Sequence, residues 1–134
     1  RIFVSMPLAN KVALVDTETF KVAAEVDAGE NPIRVALQGD ERYLWVGNNA
    51  RKAEQSGVTV IDAVEFRPVA FIPTGRGHHE IAFSDGDRYA FVSNRDGGTV
   101  TVPTFSFYDP DGTVVELVEQ PFMTFMSWLM RLFS

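Results

Sequence analysis

Short runs of apolar, β-prone residues recur between polar turns, and this pattern predicts β-strands throughout the first hundred or so residues. Segments of four to six residues, rich in β-branched side chains, follow one another at short spacing and are separated by polar turns. The predicted strands cover residues 2–5, 11–16, 21–26, 33–37, 43–47, 57–62, 68–72, 80–83, 89–93 and 98–102. Such spacing is typical of neighbouring antiparallel strands.

One stretch of this pattern occurs twice at a constant offset. Residues 29–49 read GENPIRVALQGDERYLWVGNN, and residues 75–95 read GRGHHEIAFSDGDRYAFVSNR. Ile81 follows Val35 by 46 positions, and Tyr89 follows Tyr43 by the same 46 positions. A register kept over about twenty residues is typical of a repeat protein.

The repeat divides the predicted strands into units of four. Residues 57–62 and 68–72 match residues 11–16 and 21–26, and each copy of the duplicated stretch then adds two strands. We therefore expect residues 11–16, 21–26, 33–37 and 43–47 to make one sheet and residues 57–62, 68–72, 80–83 and 89–93 to make a second sheet. A third unit is expected to begin at residue 98. The unit is 42 residues long from Val4 to Val46 and 46 residues long from Val46 to Val92. A polar insertion around residues 50–56 accounts for the difference.

Units of about 42 residues with four short strands are typical of β-propeller blades. The stretch ALVDTETFKVAAEVDAGENPIRVALQGDERYLWVGN resembles the YVTN-type propeller repeat along its whole length. The stretch TVIDAVEFRPVAFIPTGRGHHEIAFSDGDRYAFVSNRDGGTV is similar, except that His78 replaces Pro32. The resemblance covers about residues 2–102 and implies an all-β fold, a partial propeller of about two and a half to three four-stranded antiparallel blades. So few blades cannot close a ring, which implies a fragment, a part of an oligomeric ring, or a capped open stack.

The composition is that of an ordinary globular domain, with 134 residues of which 46% are hydrophobic and 22% are charged. A net charge of −6 and scattered Lys and Arg residues argue against nucleic acid as a partner. The absence of cysteine excludes disulfides, thiolate metal sites and thiol nucleophiles. The sequence opens at Arg1 inside an apolar run, which indicates a processed or trimmed start. We expect a periplasmic or secreted location.

The pattern changes after residue 102, and residues 103–134 are predicted to form a separate C-terminal unit. Residues 105–108 and 113–119 read as a hairpin around a turn at 109–112, and residues 121–134 read as a short amphipathic helix that begins with a proline. At about 21 Å, this helix is shorter than the bilayer core of about 30 Å. We expect it to cap the blades, or to dock to a protein partner, another copy or a membrane surface. The expected contact residues are Phe122, Phe125, Met126, Trp128, Leu129 and Phe133.

His78 and His79 are the two histidines of the sequence, and they precede a strand expected near the propeller axis. This segment loosely resembles propellers of the cytochrome d1 type, which implies that a histidine on the channel face ligates a haem or a metal. Adjacent residues of a regular strand point to opposite faces, so the two side chains could not ligate one ion together. The alternative interpretation is a structural or solvated role for both.

Glu116 belongs to a second candidate site. The segment FYDPDGTVVEL, residues 107–117, is similar to the closing motif of the vicinal oxygen chelate (glyoxalase-like) family, and GHHEIAF resembles the opening of that family's second module. The resemblance implies a divalent metal such as Fe, Mn or Zn, ligated by Glu116 and by His78 or His79. The spacing is shorter than the family's module, and the first half of the chain has no histidine. The alternative is a turn followed by a strand that carries an exposed Glu116.

Aspartates and aromatic residues recur at equivalent repeat positions. The aspartates could bind calcium, but capping of the turn backbone is the interpretation that we favour, because no run matches an EF-hand loop. Core packing explains the aromatic residues better than a binding platform does. The aspartates are Asp16, Asp62, Asp85, Asp87, Asp109 and Asp111, and the aromatic residues are Tyr43, Trp45, Phe83, Tyr89 and Phe91.

The sequence therefore predicts a non-catalytic binding or assembly module. It contains no Walker loop, no G-x-S-x-G elbow and no G-x-G-x-x-G motif after a strand. The alternative is a metal- or haem-dependent enzyme, or a cofactor-binding propeller, that uses His78 or His79 and Glu116.

Overall fold

A computed structural model describes residues 1–107 and 113–121 of the chain, and the side chains of residues 1–103 other than His79. In these residues the secondary structure consists of β-strands and three single-turn 3-10 helices at Pro7–Ala9, Ala53–Gln55 and Asp85–Asp87. The strands are β1 (Ile2–Met6), β2 (Lys11–Val15), β3 (Val22–Asp27), β4 (Pro32–Leu37), β5 (Tyr43–Asn48), β6 (Gly57–Asp62), β7 (Arg67–Pro73), β8 (His78–Phe83), β9 (Ala90–Asn94), β10 (Thr99–Phe107) and β11 (Thr113–Pro121).

The described strands form three antiparallel sheets. The first sheet has the order β1-β2-β3, the second β4-β5-β6-β7 and the third β8-β9-β10-β11. Strand β4 packs against β1 on one side and β8 on the other, so the second sheet lies between its neighbours. The predicted all-β architecture of about two and a half to three blades is therefore confirmed at the level of sheets.

The predicted grouping of the strands into sheets was wrong. The sequence placed residues 11–16, 21–26, 33–37 and 43–47 in one sheet, whereas the structure ends the first sheet at β3 and begins the second at β4. The connection between these strands leaves the sheet through Gly29, whose φ of 79° lies in the left-handed region that glycine adopts without strain. The backbone therefore turns into the next sheet where a hairpin would have continued the same one.

The pairing of the strands shows which residues of the first and second sheets are equivalent. Leu44 pairs with Ile61 between β5 and β6, and Ile2 pairs with Val15 between β1 and β2. Since Val15 and Ile61 are 46 positions apart in the repeat, Ile2 and Leu44 occupy equivalent positions. By the same pairing, Val4 is equivalent to Val46.

Two clusters of apolar side chains fill the spaces between the sheets. Alternate residues of β5 serve both clusters, as the period of two along a strand requires, with Leu44 and Val46 facing the first sheet and Trp45 facing the third. The buried members between the first and second sheets are Val12, Ala28, Leu44, Val46, Ile61 and Ala63. Those between the second and third sheets are Trp45, Val58, Val60, Ile72, Ile81, Ala90 and Val92.

The predicted C-terminal hairpin exists, but its strands belong to the third sheet. β10 pairs with β11 from Thr99 opposite Pro121 to Phe107 opposite Thr113, and it also pairs with β9. β10 thus runs without a break across position 102, where the sequence analysis divides the chain. The division into two domains, 1–102 and 103–134, stays a prediction. Pro121 is the last residue of β11 and does not begin a helix.

The predicted amphipathic helix is not seen, because residues 122–134 lie outside the described residues. The same holds for its expected contact residues, Phe122, Phe125, Met126, Trp128, Leu129 and Phe133. In the part of the chain that the structure describes, no helix has the length and apolarity needed to cross a membrane.

Candidate functional site

His78 lies in the interface between the second and third sheets. It is the first residue of β8, pairs in register with Asn94 of β9, and is only 1% exposed. Its imidazole ring packs against Gly47 of β5, so closely that a Cβ atom added at Gly47 would overlap the ring. Pro32, the equivalent residue of the second sheet, is also buried. His78 therefore occupies a packing position that an apolar residue fills one repeat earlier.

The predicted ligation of a metal by Glu116 and by His78 or His79 stays a prediction. The side chains of His79 and Glu116 lie outside the described set, so their part in a site remains a prediction. Glu80, which follows His79, points to solvent and lies 3.7 Å from Arg34 of β4 in an ion pair between exposed side chains. Among the described residues, no three of His, Cys, Asp and Glu lie close enough together to hold a metal ion.

A buried asparagine and threonine tie each connection between sheets to the next sheet. In the second sheet, Asn48 Nδ2 donates to the carbonyl oxygen of Ala28, and Thr59 Oγ1 lies 2.9 Å from the same oxygen and 2.8 Å from Asn48 Oδ1. Ala28 immediately precedes the connection into β4. These bonds satisfy a carbonyl that would otherwise be buried without a partner.

The third sheet repeats this arrangement with Asn94 and Thr101. Asn94 Nδ2 donates to Thr101 Oγ1 at 2.9 Å, and Asn94 Oδ1 accepts from the backbone N–H of Gly75 at 3.0 Å. Both asparagines are buried and fully engaged with the backbone or a neighbouring hydroxyl. They are therefore structural residues. Asn48 and Asn94 occupy matching positions of the duplicated stretch, which is the feature of the sequence that could have identified them.

The repeated aspartates at the turns cap the backbone, which confirms the interpretation favoured from the sequence for two of them. Asp62 Oδ1 accepts hydrogen bonds from the N–H groups two and three residues later, both at 2.9 Å. Asp16 Oδ1 accepts the equivalent bonds at 2.9 and 2.7 Å. Asp85 and Asp87 lie in a 3-10 helix, where Asp87 accepts from the N–H of Asp40, and Asp109 and Asp111 lie outside the described residues.

These hydrogen bonds also stabilise the charged form of each carboxylate. The bond from the N–H of Thr19 lowers the pKa of Asp16 below its ordinary value of 3.8. The bond from the N–H of Glu65 has the same effect on the pKa of Asp62. Both aspartates are therefore ionised at neutral pH, with their oxygens turned toward the turn backbone.

One surface cleft was missed by the sequence reasoning. It is an open depression beside the turns that follow β4 and β6, and its lining mixes arginine with acidic side chains, namely Arg1, Asp40, Glu41, Arg42, Asp62, Val64 and Glu65. The guanidinium group of Arg1 donates to the carbonyl of Ala63 at 2.9 Å. The carboxylate of Asp62 is held by its own turn. The recurrence of Asp at the repeat turns was the feature of the sequence that could have pointed to this cleft. Capping of the turn backbone, however, already explains these aspartates.

The aromatic residues that recur in the repeat are core residues, as predicted. Trp45 packs edge-on against Phe83 of the third sheet, with ring centroids 5.4 Å apart and planes at 84°, and its Nε1 donates to Gln38 Oε1 at 3.2 Å. Tyr43 borders the same cluster. Tyr89 and Phe91 pack around Val100 and Val102 of the third sheet. None of these described contacts forms an exposed platform for a ligand.

The first sheet carries the most exposed apolar surface among the described residues. Ile2 is 47% exposed and Val4 is 42% exposed, whereas the equivalent Leu44 and Val46 are 1% and 0% exposed. Leu8, Phe20 and Val22, which lie near or on the same sheet, are exposed as well. The surface formed by Ile2 and Val4 is called the open face of the first sheet below.

No protein-family model matches the chain, and no curated protein matches it in sequence. Solved structures do resemble its fold. It is similar to hydrazine synthase of Kuenenia stuttgartiensis at 20% identity and a TM-score of 0.62, covering 87% of this chain and 42% of that chain. It is similar to a protein proposed to be a 6-phosphogluconolactonase, from Bacteroides fragilis NCTC 9343, at 15% identity and a TM-score of 0.72, covering 89% and 35%. It is also similar to the dihydro-heme d1 dehydrogenase NirN in complex with DHE, at 18% identity and a TM-score of 0.60, covering 84% and 24%.

These neighbours are β-propeller-type proteins, so the three sheets of this chain have a propeller-like fold. At such identities the likeness extends to the fold alone. The chain spans less than half the length of each neighbour.

Proposed function

We propose that the chain is a non-catalytic binding or assembly module built on YVTN-type propeller blades, in a periplasmic or secreted protein. The repeat motif GENPIRVALQGDERYLWVGN supports the assignment to this class of blade. Its apolar C-terminal segment, residues 121–134, would dock to a protein partner, another copy or a membrane surface.

The observation that carries the proposal is the open face of the first sheet. Ile2 and Val4 stand in positions whose equivalents in the second sheet are buried completely by a neighbouring sheet. Contiguous apolar side chains left in water are typical of interaction sites. The described part of the chain therefore carries a surface that has the composition of a blade interface and lacks a neighbour in the described structure.

The C-terminal segment supplies a second apolar surface in the sequence. Its polar residues, Thr124, Ser127, Arg131 and Ser134, recur at helical spacing, so they would leave the remaining sides of a helix apolar. Such a helix is stable in water only when a partner or a membrane interface covers its apolar side.

The 134-residue chain with two charged substitutions in this segment tests the docking role. The double variant Phe125→Asp, Leu129→Asp is expected to lose docking. If the segment docks to another copy, light scattering should show that self-association is abolished. If it docks to a membrane surface, the variant should no longer sediment with phosphatidylcholine and phosphatidylglycerol vesicles. Ser127→Asp, on the predicted polar stripe, is the matched control and should change neither measurement. A wild-type chain that is monomeric, ignores vesicles and behaves like the double variant would contradict the proposed docking.

The second candidate function is a metal- or haem-dependent enzyme, or a cofactor-binding propeller, that uses His78 or His79 and Glu116. One observation favours it, since both histidines open β8, the first strand of a propeller-like sheet. The ring of His78 is buried against Gly47, and no three metal ligands lie together among the described residues, a set that leaves out the side chains of His79 and Glu116. Elemental analysis decides between the two functions. Stoichiometric Fe, Mn or Zn that is lost in His79→Ala would favour the enzyme.

A further inference from the structure

The turn between β8 and β9 contains an aspartate that is followed directly by a glycine, Asp85-Gly86. In such a pair the backbone nitrogen of the glycine can attack Cγ of the aspartate, because glycine has no side chain to hinder the approach. Both residues are exposed. A Cβ atom placed at Gly86 would meet nothing within 4 Å beyond its own turn, so this side of the turn is open.

The backbone of this turn depends on the glycine. Gly86 has a φ of 68° and a ψ of 19°, in the left-handed region that glycine adopts without strain. Asp87 follows in the same region with a φ of 54°. Exposed turns at the tips of hairpins open locally at little cost, so Gly86 N and Asp85 Cγ can approach each other without unfolding of the sheet.

The equivalent turn of the second sheet has the two residue types in the opposite order. By the 46-residue offset, Asp85 corresponds to Gly39 and Gly86 corresponds to Asp40. Asp40 is followed by Glu41, whose side chain hinders attack on Asp40 by the next backbone nitrogen. The repeat therefore supplies an internal reference, a turn at the same place in the neighbouring sheet that lacks the reactive pair.

The second Asp-Gly pair among the described residues, Asp96-Gly97, is held in place. The N–H groups of Asp96 and Gly97 both donate to the carbonyl oxygen of Arg76, at 3.2 and 3.1 Å. The side chain of Asp96 packs so closely on Gly77 that a Cβ atom added there would lie 2.4 Å from its Cγ. The Gly97 nitrogen must therefore break a hydrogen bond before it can turn toward Asp96 Cγ.

We propose that Asp85 is a site of spontaneous isomerisation to isoaspartate. Gly86 N forms a bond to Asp85 Cγ, the bond from Cγ to its hydroxyl oxygen breaks, and the hydroxyl leaves with the amide proton as water. Water then opens the succinimide ring at the main-chain carbonyl carbon of Asp85, which leaves Asp85 joined to Gly86 through Cγ. One water is released and one is consumed, so the mass is unchanged and no further reactant is needed.

The modification would reach the neighbouring sheet through Asp87. Asp87 Oδ2 accepts a hydrogen bond from the N–H of Asp40 at 3.1 Å, and this bond ties the turns of the second and third sheets together. An isoaspartyl link adds one carbon atom to the main chain before Gly86 and so displaces Asp87. We expect the hydrogen bond to be lost in the isomerised chain. The site involves neither residues 121–134 nor the histidines, so it is independent of the proposed function.

Ageing of the 134-residue chain in warm neutral buffer tests the proposal. Samples taken over several weeks are digested with a protease that cleaves at aspartate but not at isoaspartate, and the peptides are identified by mass spectrometry. We expect isoaspartate to accumulate at Asp85 at least about five-fold faster than at Asp96, the factor that breaking one hydrogen bond gives. Asp40 should stay unmodified. The digest reports Asp111-Gly112, which lies outside the described residues, as a separate peptide.

Two controls separate the effect of the fold from that of the sequence. In concentrated urea the pairs at Asp85 and Asp96 should isomerise at equal rates, because both have lost the folded structure. The double variant Asp85→Gly, Gly86→Asp gives the turn the residue order of Gly39 and Asp40, and it should stop isomerisation in this turn.

Hydrogen exchange tests the consequence for the neighbouring sheet. The amide of Asp40 should exchange at least about five-fold faster in the isomerised fraction than in the fresh chain, because its acceptor on Asp87 has moved. The inference would be overturned by an Asp85 that stays unmodified, by equal rates at Asp85 and Asp96 in the folded chain, or by isomerisation that persists in the double variant. Unchanged exchange at Asp40 would overturn the proposed link to the second sheet.

Discussion

The first and second sheets carry the same face in two different surroundings. Leu44 and Val46 of the second sheet are buried against the first sheet, whereas Ile2 and Val4, at equivalent positions of the first sheet, remain largely in water. The side chains are alike in size and apolarity, so the difference lies in the neighbouring sheet and not in the strand. The exposed face of the first sheet is thus the counterpart of a face that a neighbouring sheet buries one repeat later.

A second comparison concerns the buried polar pair. The second and third sheets place Asn48 with Thr59 and Asn94 with Thr101 beside the connection that enters each sheet. The first sheet has Met6 and Ala13 at the equivalent positions. Among the described sheets, the buried asparagine–threonine pair therefore occurs in the two that a described connection enters.

The largest expected difference between the two faces is in stability. Leu44→Ala removes a side chain that is completely buried between sheets and should lower the free energy of unfolding by about 3 kcal/mol. Ile2→Ala should lower it by less than about 1 kcal/mol, since much of Ile2 is already in water. Urea denaturation of both variants measures the difference. Equal losses would contradict the assignment of the open face.

Gly47→Ala should give the next largest effect. The added methyl group overlaps the His78 ring, and overpacking of a buried interface costs about 2 kcal/mol. Ser5→Ala, at the equivalent position of the first sheet, should cost less than about 0.5 kcal/mol. Adding His78→Ala to Gly47→Ala should recover part of the loss in a double-mutant cycle. Strict additivity would show that the two residues do not pack as described.

Thr59→Val tests the polar pair of the second sheet. The valine keeps the shape but removes the hydroxyl group that contacts Asn48 Oδ1 and the Ala28 carbonyl, so the free energy of unfolding should fall by about 1–2 kcal/mol. Thr17→Val, at an exposed turn of the first sheet, is the control and should be nearly neutral. Thermal denaturation of both variants measures the effect. An equal change in stability in the two variants would contradict a contribution from the pair of Asn48 and Thr59.

The smallest predicted effect is a pH dependence shared by the two sheets. The pKa of Asp16 and that of Asp62 lie below 3.8 in the folded state, because turn N–H groups hold the charged form. Their stabilisation is therefore complete above pH 3.8 and is lost as the pH falls through the lowered folded pKa values. Asp16→Asn and Asp62→Asn should each make the stability curve shallower in this acid window and leave its slope near pH 7 unchanged. A change confined to neutral pH would exclude the turn as the cause.

The strands, the repeat and the turn aspartates could be predicted from the sequence because each leaves a local pattern. A run of apolar, β-prone residues marks β5, the constant offset pairs Val35 with Ile81, and Asp62 stands where a turn needs a backbone acceptor. Each of these features depends on residues close together in the chain, and the repeat shows every one of them more than once.

The sheet boundaries could not be predicted in the same way, because a repeat fixes a period but not the point at which a unit starts. The same 46-residue offset is compatible with a sheet that ends at β3 or at β5. The burial of His78 was equally hidden, since it depends on Gly47, which is distant in sequence and lies in another sheet. Both features are set by packing between sheets, which leaves no local signal.

Amide hydrogen exchange of β1 and β5 in a polypeptide of these 134 residues tests the central claim most directly. If β1 is the equivalent of β5 and pairs with β2 alone among the described strands, the amides of Ile2–Met6 on the edge away from β2 should exchange at least about a hundred-fold faster than their equivalents in Tyr43–Asn48. Protection of β1 equal to that of β5 would mean that another strand already covers the edge, and it would contradict the account.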